Sequence, residues 1–234
     1  MKVPPAEVLC IVTARGGSKR MPGKNLRPFL GEPLLVHTLR AARESGCVGR
    51  VVVSTDAEDI ASISREHGAE VPFLRPAALA TDGASSIDVV VHVLDELALG
   101  EGYRPEVVLL LQPTSPLRTA QHVAEAMAAL AAPARAIVSF SECKSPTWTY
   151  RLASSGHVAP ALADEALVPP LGRGERFVLP NGAIYIARTD YLRAQAGFLG
   201  PDTFAYVMDA RCSVDIDVEA DFAFAERIAR GDAR

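Results

Sequence analysis

Val8-Leu9-Cys10-Ile11-Val12-Thr13-Ala14-Arg15-Gly16-Gly17-Ser18-Lys19-Arg20-Met21-Pro22-Gly23-Lys24-Asn25-Leu26-Arg27 is the stretch that organises the chain. It begins with a strand-sized apolar run, Val8–Thr13. Three glycines and five cations follow, with no acid from Ala14 to Arg27. Open α/β sheets bind ligands at the carboxyl ends of their strands. Glycines there let backbone N–H groups approach an anion closely. Arginine outnumbers lysine twenty to four, yet Lys19 and Lys24 both lie in this loop. A compact ammonium charge suits a phosphate. The loop is not a Walker A motif, because five residues separate Gly17 from Gly23 and Asn25 follows Lys24. It is not GxGxxG either.

Outward from this loop, strand and helix patterns alternate. Helices are expected from Pro33 to Ser45, over Glu58–His67, from Ser85 or Ser86 to about Leu97, and from Thr119 through Leu130. Asp88 stands where a capping-box partner of Ser85 would lie. Strands are expected at Arg50–Ser54, Val71–Leu74, Val107–Leu111 and Ala136–Phe140. Such alternation implies right-handed βαβ units and a mostly parallel sheet covered on both faces. From Ser141 to Leu179 the rhythm fails, which marks an insertion with its own task. Strands resume at Ala183–Ala187 and Cys212–Val218, and Glu219–Arg230 closes the pattern as a helix.

The 234 residues are 49% apolar and 22% charged, with a net charge of −4. That composition excludes disorder and a broad nucleic-acid surface. No apolar run approaches the roughly 18–20 residues of a membrane span. Met1–Glu7 lacks the shape of a signal peptide. Cys10, Cys47, Cys143 and Cys212 are scattered, without a CxxC pair, and read as free thiols of a cytosolic protein. The five histidines form no ligand-like group.

Ser213-Val214-Asp215-Ile216-Asp217 spaces two carboxylates at i and i+2, so on a strand both point one way. Their repulsion calls for a cation between them, and Mg²⁺ shared with phosphate oxygens fits. Helix capping by Asp217 is the competing role.

Several blocks together carry a resemblance. They are the first loop, Ser54-Thr55-Asp56, Leu74-Arg75-Pro76, Ala84-Ser85-Ser86, Leu111 through Arg118 (LQPTSPLR), Asn181-Gly182-Ala183-Ile184-Tyr185-Ile186 and Ser213 through Asp217. In this order they resemble the acylneuraminate cytidylyltransferases (CMP-sialic acid synthetases) over nearly the whole chain. The Kdo cytidylyltransferases share the layout and resemble it less.

The resemblance implies a Rossmann-like three-layer nucleotidyltransferase fold in a single domain, residues 1–234. Residues 141–180 would be a dimerisation insertion of a cytoplasmic homodimer that binds neither nucleic acid nor membrane. The implied reaction joins CTP to the anomeric hydroxyl of a nine-carbon α-keto sugar acid, N-acetylneuraminate or a related nonulosonate such as legionaminate, and releases pyrophosphate. Another acid sugar (pseudaminate or Kdo) and a non-catalytic nucleotide-binding relative are the alternatives.

By the same resemblance, Ala14, Arg15, Gly16, Gly17, Ser18, Lys19, Lys24 and Asn25 hold the triphosphate and ribose. Arg75, Ala84 and Ser86 frame the cytidine end. Gln112, Arg173, Asn181, Tyr185 and Phe198 face the sugar. Asp215 and Asp217 hold Mg²⁺, and Arg15, Lys24, Gln112, Asp215 and Asp217 form the catalytic set. Arg176 is a second candidate for the sugar carboxylate, which calls for an arginine fork. Trp148 stands where some bacterial members carry lysine. Five loop cations plus Mg²⁺ match the negative charge of CTP and a sugar acid. Gln112 cannot accept a proton, so the general base stays open between a metal-held hydroxide and Asp217 acting through water.

Overall fold

The computed structural model describes residues 3–81, 83–146, 149–161 and 174–232. In chain order the strands are β1 (Val8–Thr13), β2 (Pro28–Phe29), β3 (Glu32–Pro33), β4 (Arg50–Ser54), β5 (Val107–Leu111), β6 (Ala136–Glu142), β7 (Tyr150–Leu152), β8 (Val158–Pro160), β9 (Val178–Arg188) and β10 (Thr203–Val207). The α-helices are α1 (Leu34–Glu44), α2 (Glu58–Glu66), α3 (Ser86–Glu101), α4 (Ala120–Ala128), α5 (Thr189–Gln195) and α6 (Glu219–Ala229). Six strands form the central sheet in the order β10-β6-β9-β5-β1-β4. β4, β1 and β5 run parallel, as do β10 and β6. β9 is antiparallel to both its neighbours. The mostly parallel α/β sheet expected from the alternation is therefore present.

Side-chain alternation along β1 divides the core into two layers. Val8, Cys10 and Val12 pack with Leu35 and Leu39 of α1, Ile60 of α2 and Val123 of α4. Leu9 and Ile11 pack on the other face with Val90, Val93 and Leu97 of α3 and Leu192 of α5. β5 is buried along its whole length, as strands covered on both faces are. Among the described residues no helix is long and apolar enough to cross a membrane.

Three local expectations are corrected. Val71–Leu74 is not a strand. Only an isolated bridge, Val52 to Glu70, continues the sheet there. Pro72 has no N–H to give a ladder, so pairing stops before it. Cys212–Val218 is not a strand either. Ala210–Cys212 is a 3₁₀ turn, and Ile216 is tethered by one backbone bond, its N–H to the Thr114 carbonyl at 2.8 Å. The last strand is instead Thr203–Val207, whose Thr-Phe-Ala-Tyr-Val composition is strand-like but whose pattern is mostly exposed at the sheet edge. Finally, Ser85 caps α3 alone, its hydroxyl accepting from Ile87 N–H at 3.2 Å. The box forms at α4, where Thr119 and His122 cap each other.

Residues 141–180 hold the β7–β8 hairpin. Arg173 and Trp148 lie outside the described residues.

Candidate active site

The carboxyl ends of β1, β4 and β5 deliver the first loop, Thr55-Asp56 and Gln112 to one edge of the sheet. A cleft of about 490 Å³ opens there, walled by Arg15, Ser18, Lys19, Arg20, Lys24, Asn25, Gln112, Thr114 and Asp217 among others. A smaller pocket of about 230 Å³ adjoins it, sharing Thr13 and Arg15 and reaching Arg75, Ala84 and Ser86. The residues expected at the two ends of a nucleotide thus lie along one continuous groove.

The loop keeps its shape through its own polar side chains. Asn25 is nearly buried and donates through Nδ2 to the Arg15 carbonyl at 2.9 Å. Gly16 N–H donates to Asp56 Oδ1 at 2.9 Å. A Cβ on Gly16 would stand 2.8 Å from that of Ala57, so only glycine fits at this approach. Ala14 is buried in the core, and its N–H donates to the Ser54 carbonyl at 3.0 Å. It supports the groove without lining it, and neither Gly16 nor Gly17 is among the lining residues.

Four of the five loop cations face the cleft. Arg27 does not. It pairs with Glu219 and lies over the Phe222 ring, 4.5 Å from its centroid. Its work is to hold α6 to the loop. Of the other four, Lys24 reaches the acid segment. Its Nζ donates to the Ile216 carbonyl at 2.6 Å and lies 3.8 Å from Asp217 Oδ1. Burial lowers its pKa, against the opposing pull of Asp217 and Asp215. Arg20 reaches Asp217 at 3.0 Å.

Arg75, at the cytidine end, is buried. It donates through Nε to the Ser54 hydroxyl at 3.0 Å and through Nη2 to the Ser54 carbonyl. Burial brings its pKa down to about 10, with Asp56 opposing.

The acid segment belongs to no sheet. Ile216 is fully buried among Met21, Phe29 and Leu34, with Val214 packed against the same cluster. Burying such a side chain is worth roughly 1.5–3 kcal/mol. Asp217 lines the cleft, and Asp215 lies near Gly182. Asp217 is not the cap of α6. Its own N–H and that of Val218 both donate to Asp221 Oδ2 at 2.9 Å. Desolvation raises the pKa of Asp215, and Asp217 adds to the rise.

Gly182, at φ +79° within β9, lies between Gln112 and Asp215 in space. A Cβ there would stand 3.2 Å from Gln112 Oε1 and 3.7 Å from Asp215 Oδ2. Its missing side chain leaves room between the two groups; Gln112 lines the cleft, and Asp215 is not among the lining residues. Tyr185 is near enough to Asp215 for the carboxylate to add to the pKa rise caused by its burial. Phe198 is 4% exposed and belongs to the core behind Tyr185, with ring centroids 5.5 Å apart. It backs the pocket and does not wall it. Arg176 pairs with Glu142 on the surface.

No group of three or more His, Cys, Asp or Glu side chains suited to a metal occurs among the described residues. Asp215 and Asp217 can give one or two carboxylate oxygens, and phosphate oxygens and water would complete the shell. That donor set suits Mg²⁺, which keeps several waters and favours substrate phosphates.

The sequence reading passed over Arg118. It is 2% exposed, and its Nη1 donates to both the Gln112 carbonyl at 3.2 Å and the Ala183 carbonyl at 3.1 Å. Burial brings its pKa down to about 10. One guanidinium therefore binds together the two segments that flank Gly182. Its place in the LQPTSPLR block was the available signal, but nothing in a sequence shows that an arginine is buried.

Comparison with known proteins agrees with this geometry. A sequence model of the family described as cytidylyltransferase matches residues 9–166. The chain is 34% identical over 223 residues to the CMP-N,N'-diacetyllegionaminic acid synthase of Legionella pneumophila, covering 94% of this chain and 95% of that protein. It is 33% identical over 229 residues to the N-acylneuraminate cytidylyltransferase of Escherichia coli O18:K1:H7, but covers only 51% of that longer protein. The structure of CMP:2-keto-3-deoxy-manno-octonic acid synthetase complexed with CTP shares the fold, with a TM-score of 0.68 at 16% identity over 97% of this chain and 99% of that one.

Proposed function

The chain belongs to the cytidylyltransferase family, among the acylneuraminate-type enzymes, and on that premise we propose that it transfers CMP from CTP to the anomeric hydroxyl of a nonulosonic acid. The acceptor is a nine-carbon α-keto sugar acid of the legionaminate or N-acetylneuraminate type, and pyrophosphate leaves. One observation carries this reading. A cleft faced by four cations has Gln112 and Asp217 in its wall, and Asp215 stands near Gln112 across Gly182. A triphosphate in the cleft would thus present its α-phosphate to an acceptor hydroxyl held at Gln112.

Phosphoryl transfer of this kind is mostly positioning and charge neutralisation. Arg15, Lys19, Arg20 and Lys24 hold the phosphates, and Lys24 stabilises the charge that develops as pyrophosphate departs. Arg75, with Ala84 and Ser86, frames the base. Gln112 orients the acceptor hydroxyl, and Tyr185 walls the sugar side. Asp215 and Asp217 hold Mg²⁺, which when bound polarises the phosphates and neutralises their charge. Asp217, acting through water, is the carboxylate assigned to take the hydroxyl proton.

Homodimerisation belongs to the same proposal. Tyr150, Leu152, Val158 and Leu179 expose apolar surface on and beside the β7–β8 hairpin, which a second copy would cover. A cytoplasmic site of action is supported by four free thiols.

The test is pyrophosphate release by purified protein with CTP and Mg²⁺, across N-acetylneuraminate, legionaminate, pseudaminate and Kdo. Release with either of the first two is expected. No release with any of the four overturns the reading.

A further inference from the structure

Asn181 stands where the family resemblance places a sugar contact, yet its amide is already committed inside the protein. Its Oδ1 accepts from the Ser139 hydroxyl at 2.5 Å and from Ala183 N–H at 3.1 Å. Its Nδ2 donates to the Ser213 hydroxyl at 2.9 Å. Ser213 passes the bond on to the Asp209 carbonyl at 2.8 Å. The chemistry fixes the orientation of the amide. Ala183 N–H can only donate, so the atom facing it is the oxygen, and the NH₂ group is left for Ser213.

The backbone is shaped to permit this chain of bonds. The β6–β9 register shifts between Val138 and Phe140, leaving fully buried Ser139 at the irregularity. There its hydroxyl accepts from Ile184 N–H at 2.7 Å. Bulges of this kind re-aim side chains beside active sites. Here the bulge brings Asn181 to the segment that carries Asp215.

Asp215 thus sits between two tethers. On one side Ile216 is fixed by its buried side chain and by its bond to Thr114. On the other, Ser213 is fixed by Asn181.

We propose that Asn181 is a positioning residue, which through Ser213 holds Asp215 at the gap beside Gly182 where it serves the bound metal. The inference rests on the reading of Asp215 as a metal-holding carboxylate. Partners one step behind a metal ligand set its orientation, and their loss lowers metal affinity or activity by about 10–100-fold.

The test reads bound Mn²⁺ by electron paramagnetic resonance as Mn²⁺ and CTP are titrated together into the protein, alongside steady-state kinetics. Ser213→Ala and Asn181→Ala are each expected to weaken Mn²⁺ binding or lower kcat by about 10-fold or more. The KM for the sugar acid should stay within about twofold in Ser213→Ala. The double variant should be no worse than the weaker single, because both cut the same connection. Ser213→Thr, which keeps the hydroxyl, should restore binding. A raised sugar KM in Asn181→Ala with an unaffected Ser213→Ala overturns the proposal and makes Asn181 a direct sugar contact. Asp215→Asn separates the two readings. Weaker Mn²⁺ binding there, with none lost in Ser213→Ala, overturns the relay and leaves the metal reading standing. Unchanged Mn²⁺ binding in Asp215→Asn overturns both.

Discussion

Lys24 Nζ donates to the carbonyl oxygen of Ile216 at 2.6 Å, across 192 positions of sequence. The bond joins the basic loop after the first strand to the acidic segment before the last helix. It sets an ammonium group beside Asp217 while half-burying it. Counter-charge and the Asp217 carboxylate are thereby held at one end of one cleft.

Lys24→Ala is expected to lower turnover with CTP by at least ~10², the scale of losing one charge stabiliser. Burial holds the Lys24 pKa below the usual 10.5. The lysine must be charged to meet phosphate, so CTP binding should fall as pH rises through a value below 10.5, and the variant should lack that alkaline limb. Isothermal titration with CTP across pH checks both. Near-wild-type turnover would remove Lys24 from the mechanism.

Asp215→Asn should trade activity for stability. The folded pKa of Asp215 lies above its ordinary 3.8. Between those two values the native state binds more proton than the unfolded chain, so stability declines as pH rises through the raised pKa. At neutral pH the ionised carboxylate is a liability in the free protein. The variant is expected to melt higher than wild type at pH 7, equally below pH 3.8, and to turn over at least ~10²-fold more slowly. Thermal scans at the two pH values decide it. A lower Tm at pH 7 would mean that Asp215 is stabilised by its surroundings.

Arg118→Leu should destabilise the fold and disturb the site together. It takes a donor from the Gln112 and Ala183 carbonyls. Gln112 keeps the Ser115 N–H at 3.4 Å, so the cost expected is that of the Ala183 carbonyl left short, about 1–3 kcal/mol for a buried unpaired group. Urea unfolding gives the loss, and it should appear with lower kcat because Gln112 is no longer held against β9 at Gly182. A loss below about 1 kcal/mol would mean that the Ala183 carbonyl finds another donor.

Arg27→Ala should leave the KM for CTP unchanged, because the side chain faces Glu219 and Phe222 and lies outside the cleft. A several-fold rise in that KM would return Arg27 to the phosphate site.

The central strands and most helices could be read from the chain because they rest on local signals. Apolar runs such as Val107–Leu111 and the 3.6-residue rhythm of Leu35, Leu39 and Ala42 report burial directly. Val71–Leu74 was misread because Pro72 outweighed an otherwise strand-like run. Cys212–Val218 was misread because the alternation that buries Ile216 needs no strand partner. In both segments side-chain burial and backbone pairing, which usually coincide, came apart.

By itself, the sequence determined that an apolar strand feeds a basic, glycine-rich loop, that two aspartates stand at i and i+2, and that the fold alternates strand with helix. These are properties of neighbours along the chain. The tertiary structure decided which charges meet. It sent Arg27 to α6 and Lys24 to Ile216, buried Arg118 between the segment after β5 and strand β9, and engaged Asn181 with Ser139 and Ser213. Each of those choices depends on groups brought together from distant parts of the chain, and on whether water can reach them. Desolvation and hydrogen-bond saturation are set by that three-dimensional surrounding, and no local pattern encodes them.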